Sequence, residues 1–60
     1  MDRYTAHVTR DGGFWLIHVP EIDHATQARC RGEIEPMARD LIAIMAEVEP
    51  DSFELDISIT

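Results

Sequence analysis

Five arginines and no lysine stand against twelve Asp and Glu in 60 residues, a formal net charge of −7 that repels nucleic-acid phosphates and favours basic partners. The single cysteine, Cys30, precludes an intrachain disulfide and suits a reducing cytoplasm; no apolar run nears the ~18 residues of a membrane span, and M-D-R-Y-T lacks a signal-peptide plan. A single domain this short buries only ~60% of the surface that its unfolded chain exposes, so self-association is the expected aid to its stability.

Residues 3–10, R-Y-T-A-H-V-T-R, alternate, with Tyr4, Ala6 and Val8 on one side and Thr5, His7 and Thr9 on the other. That pattern predicts a half-buried strand. Asp11-Gly12-Gly13 follows as a hairpin signal, since these residues tolerate positive φ. The second strand, F-W-L-I-H-V, sets Trp15, Ile17 and Val19 on one face and Phe14, Leu16 and His18 on the other. Matching the inner faces allows Val8 to sit opposite either Trp15 or Ile17, so two registers stand.

Pro20 ends this ladder because it has no N–H to donate. A weaker, more polar strand is expected over residues 25–30, A-T-Q-A-R-C. Beyond Gly32, the residues Ile34, Met37, Leu41, Ile44, Met45 and Val48 recur at spacings of three, four and seven, which predicts an amphipathic helix starting between 33 and 36. Glu33 and Glu35 favour its positive end, and Pro36 must lie in its first turn. Leu41, in the middle of that stripe, is expected to pack on Trp15, Ile17, Leu55 and Ile57. Glu49-Pro50-Asp51-Ser52 stops the helix. The last stretch, F-E-L-D-I-S-I-T, predicts a strand with Phe53, Leu55, Ile57 and Ile59 inward and Glu54, Asp56 and Ser58 outward.

Few residues offer chemistry. Asp23-His24 could be a carboxylate orienting an imidazole, but adjacent residues in an extended segment rarely point at each other. A turn after Pro20 accounts for the same letters, and no catalytic residue is assigned. His7, His18, His24 and Cys30 form the alternative, a small metal-binding protein or enzyme with an N/S set of the kind zinc accepts. A Gly12-Gly13 loop would set His7 directly opposite His18, whereas an Asp11-Gly12 loop would not. Neither C-x-x-C nor H-x-x-x-H spacing is present, so no metal or cofactor is expected. Glu21, Asp23, Glu33 and Glu35 fall around a loop and a helix start, where acids are common for capping reasons.

Phe14 and Leu16 must face away from the Trp15 side. With one helix to cover one face, the face of Phe14, Leu16 and His18 is expected to be covered by another chain, as a self-association interface buried between two copies. The other reading has Phe14 curling over the turn.

Together the letters and the element order resemble the N-terminal domain of HicB-family antitoxins. The matching pieces are Y-T-A-H-V, then D-G-G-F-W-L-I-H-V-P-E-I, Thr26-Gln27, and the helix E-I-E-P-M-A-R-D-L-I. The stretch from Trp15 to Ile22 is the most characteristic. This resemblance implies an α+β fold of order β-β-β-α-β, a degenerate ribonuclease-H-like domain. Its four-stranded mixed sheet has order 3-2-1-4, with the last strand parallel to the first and one helix on one face. It also implies a noncatalytic antitoxin that binds and masks a small basic HicA-type toxin, a ribonuclease that cleaves mRNA; self-association is expected separately, from the chain's size and the Phe14 and Leu16 face. Two departures stand out. Asp23-His24 occupies a corner where the family commonly has glycine. Residues 1–60 form a single domain, with no separate DNA-binding domain expected. A double-stranded-RNA-binding domain shares strands and a helix, but would need a basic surface.

Overall fold

A computed structural model describes residues 2–60. Alternation produces the first two strands, β1 (Arg3–Asp11) and β2 (Phe14–Val19). Asp11 pairs with Phe14, so the loop is Gly12-Gly13, with φ of 62° at Gly12. Positive φ at the first of two loop residues matches the right-handed twist of the flanking strands, and glycine takes it without a Cβ penalty. This loop selects the register: Val8 sits opposite Ile17, and His7 opposite His18.

After β2, Pro20–Ile22 make a single 3-10 turn that leads into β3 (His24–Ala28). Another such turn, Arg31–Glu33, feeds the helix α1 (Ile34–Ala46), with Pro36 in its first turn as expected. Strand β4 (Glu54–Ile59) closes the chain. The sheet order is β3-β2-β1-β4, with β4 parallel to β1 and the other neighbours antiparallel. This is the α+β architecture expected from the sequence, with the helix on one face.

The core lies between α1 and the sheet. Ala6, Val8, Ile17, Val19, Ala28, Ile34, Ala38, Ile42 and Phe53 are buried. Tyr4 packs edge-to-face on Phe53, with ring centroids 5.2 Å apart. Two expectations need correction here. The buried row of α1 is Ile34, Ala38 and Ile42, whereas Ile44 is 66% exposed and Met45 and Val48 are also exposed. Small Ala38 between two isoleucines lets the helix approach the sheet closely, so the i, i+4 row turns inward. Met37 and Leu41 are half-buried and flank it.

The second correction concerns β4. Ile57 and Ile59 lie on the helix side, in register with Ala6 and Val8, yet are 37% and 41% exposed. Helix α1 packs over β3 and β2, and the far strand is left without a cover. Only Phe53 and Leu55, at the start of that stretch, reach the core.

The helix ends at Glu47, which takes the left-handed conformation (φ 56°), while the Val48 N–H donates to the Ala43 carbonyl at 3.1 Å. Glycine is the usual residue at this position, and a carboxylate here also faces the negative end of the helix dipole. Glu47→Gly is therefore expected to raise the unfolding free energy by about 1 kcal/mol. Chemical denaturation checks this, and a loss of stability would show that the glutamate makes a favourable contact.

Candidate interaction surfaces

The register sets the composition of the uncovered sheet face. Across its middle run Ser58, His7, His18 and Ala25, one from each strand in sheet order. Beside them lie Thr9, Leu16 and Gln27, then Asp11 and Phe14 at the hairpin end. Phe14 is 45% exposed and Leu16 is half-buried. Phe14 therefore keeps nearly half of its surface exposed, and among the described residues no helix covers this face. Phe14, Leu16 and His18 form its apolar strip along β2.

The four groups of the metal-binding alternative are dispersed. His7 and His18 are cross-strand neighbours, and both are exposed. His24 begins β3 opposite Val19, whereas Cys30 follows the other end of that strand, in the loop before α1. At ~3.3 Å per residue, His24 and Cys30 stand of the order of 20 Å apart along the chain. Among the described residues, no three His, Cys, Asp or Glu side chains converge on a metal position.

The V-P-E-I-D-H stretch has a structural explanation. Its Asp23 N–H donates to the Pro20 carbonyl at 3.1 Å, and Asp23 is left-handed, with φ of 52°. Aspartate tolerates that conformation better than most residues, so it can stand where glycine is usual. Glu21 turns back and accepts the Thr5 N–H at 3.1 Å, satisfying a donor of β1 beyond the end of β2. The carboxylate thus ties the corner to the sheet. Sequence reasoning placed Glu21 in an acidic cluster but missed this bond, which depends on the hairpin register.

Charge is segregated by the fold. Arg3 pairs with Glu54 at 2.7 Å and Asp56 at 3.6 Å on the open face. The Glu54 hydrogen bond, then the Asp56 charge, holds its pKa above the ordinary arginine value. Arg39 pairs with Glu35 at 3.1 Å. Arg10, Arg29 and Arg31 make no ion pair among the described residues. Arg10 and Arg31 both lie over Trp15, 4.7 and 5.5 Å from its ring centroid, within cation–π range. These three arginines gather at the hairpin end together with Asp11, Glu33 and Glu35, while Glu21, Asp23, Glu47, Glu49 and Asp51 belong to the turns at the other end, so the hairpin end is near neutral and the other end acidic.

On the helix side, Ile34, Pro36, Ile57 and Ile59 line an open groove of about 360 Å³, with Arg31 and Glu35 also in its wall. Among the described residues no helix is long and apolar enough to cross a membrane. Comparisons with family models, with curated proteins and with solved structures found no match.

Proposed function

We propose that this chain is a HicB-like, antitoxin-type interaction module, an acidic noncatalytic domain that self-associates and masks a small basic ribonuclease of the HicA type in the cytoplasm. The observation that carries this reading is the topology. A 3-2-1-4 sheet with β4 parallel to β1 and one helix is joined to a Trp15–Ile22 stretch that runs as strand and then corner. The partner class rests on charge, since −7 on 60 residues attracts a cationic protein over long range. The open sheet face supplies the contact, with Phe14 and Leu16 as apolar anchors and His18 beside them.

The test uses a small basic protein encoded in the adjacent reading frame. Mixed with this chain, it should form a stable complex and lose its cleavage of RNA. Leu16→Glu sets a carboxylate in the centre of the open face, and burying an unpaired charge costs several kcal/mol. The variant should bind at least about a hundredfold more weakly, since each 1.4 kcal/mol is a factor of ten, while keeping its far-ultraviolet spectrum. RNA cleavage undiminished by an excess of this chain would refute the proposal.

A further inference from the structure

The open edge of β4 has the properties of a self-pairing surface. The Glu54 N–H donates to the Asp2 carbonyl at 2.8 Å, and the Thr60 N–H to the Val8 carbonyl at 2.9 Å. Backbone groups of successive residues point to opposite sides of a strand, so the even-numbered residues face β1. Leu55, Ile57 and Ile59 therefore turn their N–H and C=O groups to the free edge. Edge strands are normally blunted by proline, lysine, a bulge or a covering element. The stretch E-L-D-I-S-I carries neither proline nor lysine, and its two carboxylates are occupied by Arg3 on the opposite face. On the helix side, exposed Ile57 and Ile59 border the groove floored by Ile34 and Pro36.

We propose that a second copy of this chain pairs antiparallel with β4 about a twofold axis at Ile57, joining two four-stranded sheets into one.

Parity and charge together select the register. Residues that face the edge must meet one another, which restricts the axis to a few positions. With Ile57 on the axis, Ile57 meets Ile57 of the second copy, Leu55 meets Ile59, and Asp56 meets Ser58. All the apolar side chains then lie together on the helix face. With Asp56 on the axis, two carboxylates would stand directly opposite, which is destabilising. With Ser58 on the axis, fewer residues would pair.

The ends of the strand differ in charge as well. Ile59 lies toward the hairpin end, with Arg10 and the groove's Arg31, whereas Arg29 follows β3 at the opposite edge of the sheet. Glu54 follows the turn that carries Glu49 and Asp51. Antiparallel pairing sets the near-neutral hairpin end of one copy, with Arg10 and Arg31, beside the acidic turn of the other, and the twofold axis repeats that arrangement. Parallel pairing would bring like ends together. Self-association through this edge leaves Phe14, Leu16 and His18 free for a different protein, and it does not depend on the antitoxin assignment.

Sedimentation of the pure chain should show a species near twice the 6.8 kDa of one chain. Ile57→Lys, the substitution by which natural sheets block edge pairing, should return it to the mass of one chain with an unchanged far-ultraviolet spectrum. A crosslinking experiment keeps the register testable even if that variant folds poorly. In a Cys30→Ser background, Ile57→Cys should be joined to itself by direct oxidation to a disulfide, and Asp56→Cys, whose copies stand diagonally about 7–8 Å apart, should not. A monomeric wild-type chain at high concentration would overturn the proposal. So would a dimer that persists in folded Ile57→Lys, or self-crosslinking of Asp56→Cys in place of Ile57→Cys.

Discussion

Ile42→Ala is expected to lower the unfolding free energy by about 2–5 kcal/mol, the usual range for removing a fully buried isoleucine. Ile42 has no exposed surface and ends the inward row that begins at Ile34. A chain of this length is expected to hold roughly 3–9 kcal/mol in all, so the variant loses a large share of its stability. At roughly 4–8 °C per kcal/mol, its midpoint should fall by at least about 8 °C. The comparison that gives the result meaning is with the neighbouring side chains. Leu41→Ala should cost less than Ile42→Ala because Leu41 is only half-buried. Ile44→Ala should stay within about 0.5 kcal/mol, as for ordinary surface changes. An Ile44→Ala loss exceeding that of Ile42→Ala would show that the helix is rotated from the orientation described.

Arg39→Ala should cost about 2–3 kcal/mol, although its charge lies near the surface. One Nη1 donates to the Pro50 carbonyl at 2.8 Å and the Phe53 carbonyl at 3.2 Å, and the guanidinium lies 5.2 Å from the Phe53 ring centroid. A cationic donor to a backbone carbonyl is worth about 1.5–3 kcal/mol, and a cation–π contact at a partly exposed site about 0.5–1. The Arg39–Glu35 ion pair adds little, because the carboxylate is largely exposed and screened. Arg39 thus clamps the Glu49–Ser52 turn to the helix and fixes where β4 begins. Lysine cannot reproduce the fork, so Arg39→Lys should recover less than half of the loss. Urea titrations at low and high salt provide the check. A loss that disappears at high salt, or is matched by Glu35→Gln, would assign the effect to the ion pair and refute the clamp.

The element order and most element limits were legible in local pattern. Alternation marked β1, β2 and β4, because a strand exposes and buries residues with a period of two whatever it packs against. Pro20 marked the end of the β2 ladder through backbone chemistry that needs no tertiary context, whereas the third strand, expected over residues 25–30, runs from His24 to Ala28. The corner at V-P-E-I-D-H was likewise legible as a turn, but not its tie to Thr5, which requires β1 to lie alongside. Open-face membership of Phe14, Leu16 and His18 also followed from parity with Trp15.

What the tertiary structure decided were the choices that local pattern leaves degenerate. Both hairpin loops suit the residues at 11–13, and only the assembled sheet brings His7 opposite His18. Helical spacing accommodates either the Ile44–Val48 stripe or the Ile34–Ala38–Ile42 row, since both recur every three or four residues. Close approach to the sheet favours the row with the small residue in its middle. Alternation in β4 states which side Ile57 and Ile59 take, but not whether anything covers that side. Cover depends on where α1 crosses, and a single 13-residue helix packed over β3 and β2 cannot also reach the far strand. The charge balance was readable from composition alone, whereas its distribution into a near-neutral hairpin end and an acidic end arises from the chain reversals, which bring both Arg10 and Arg31 onto one tryptophan.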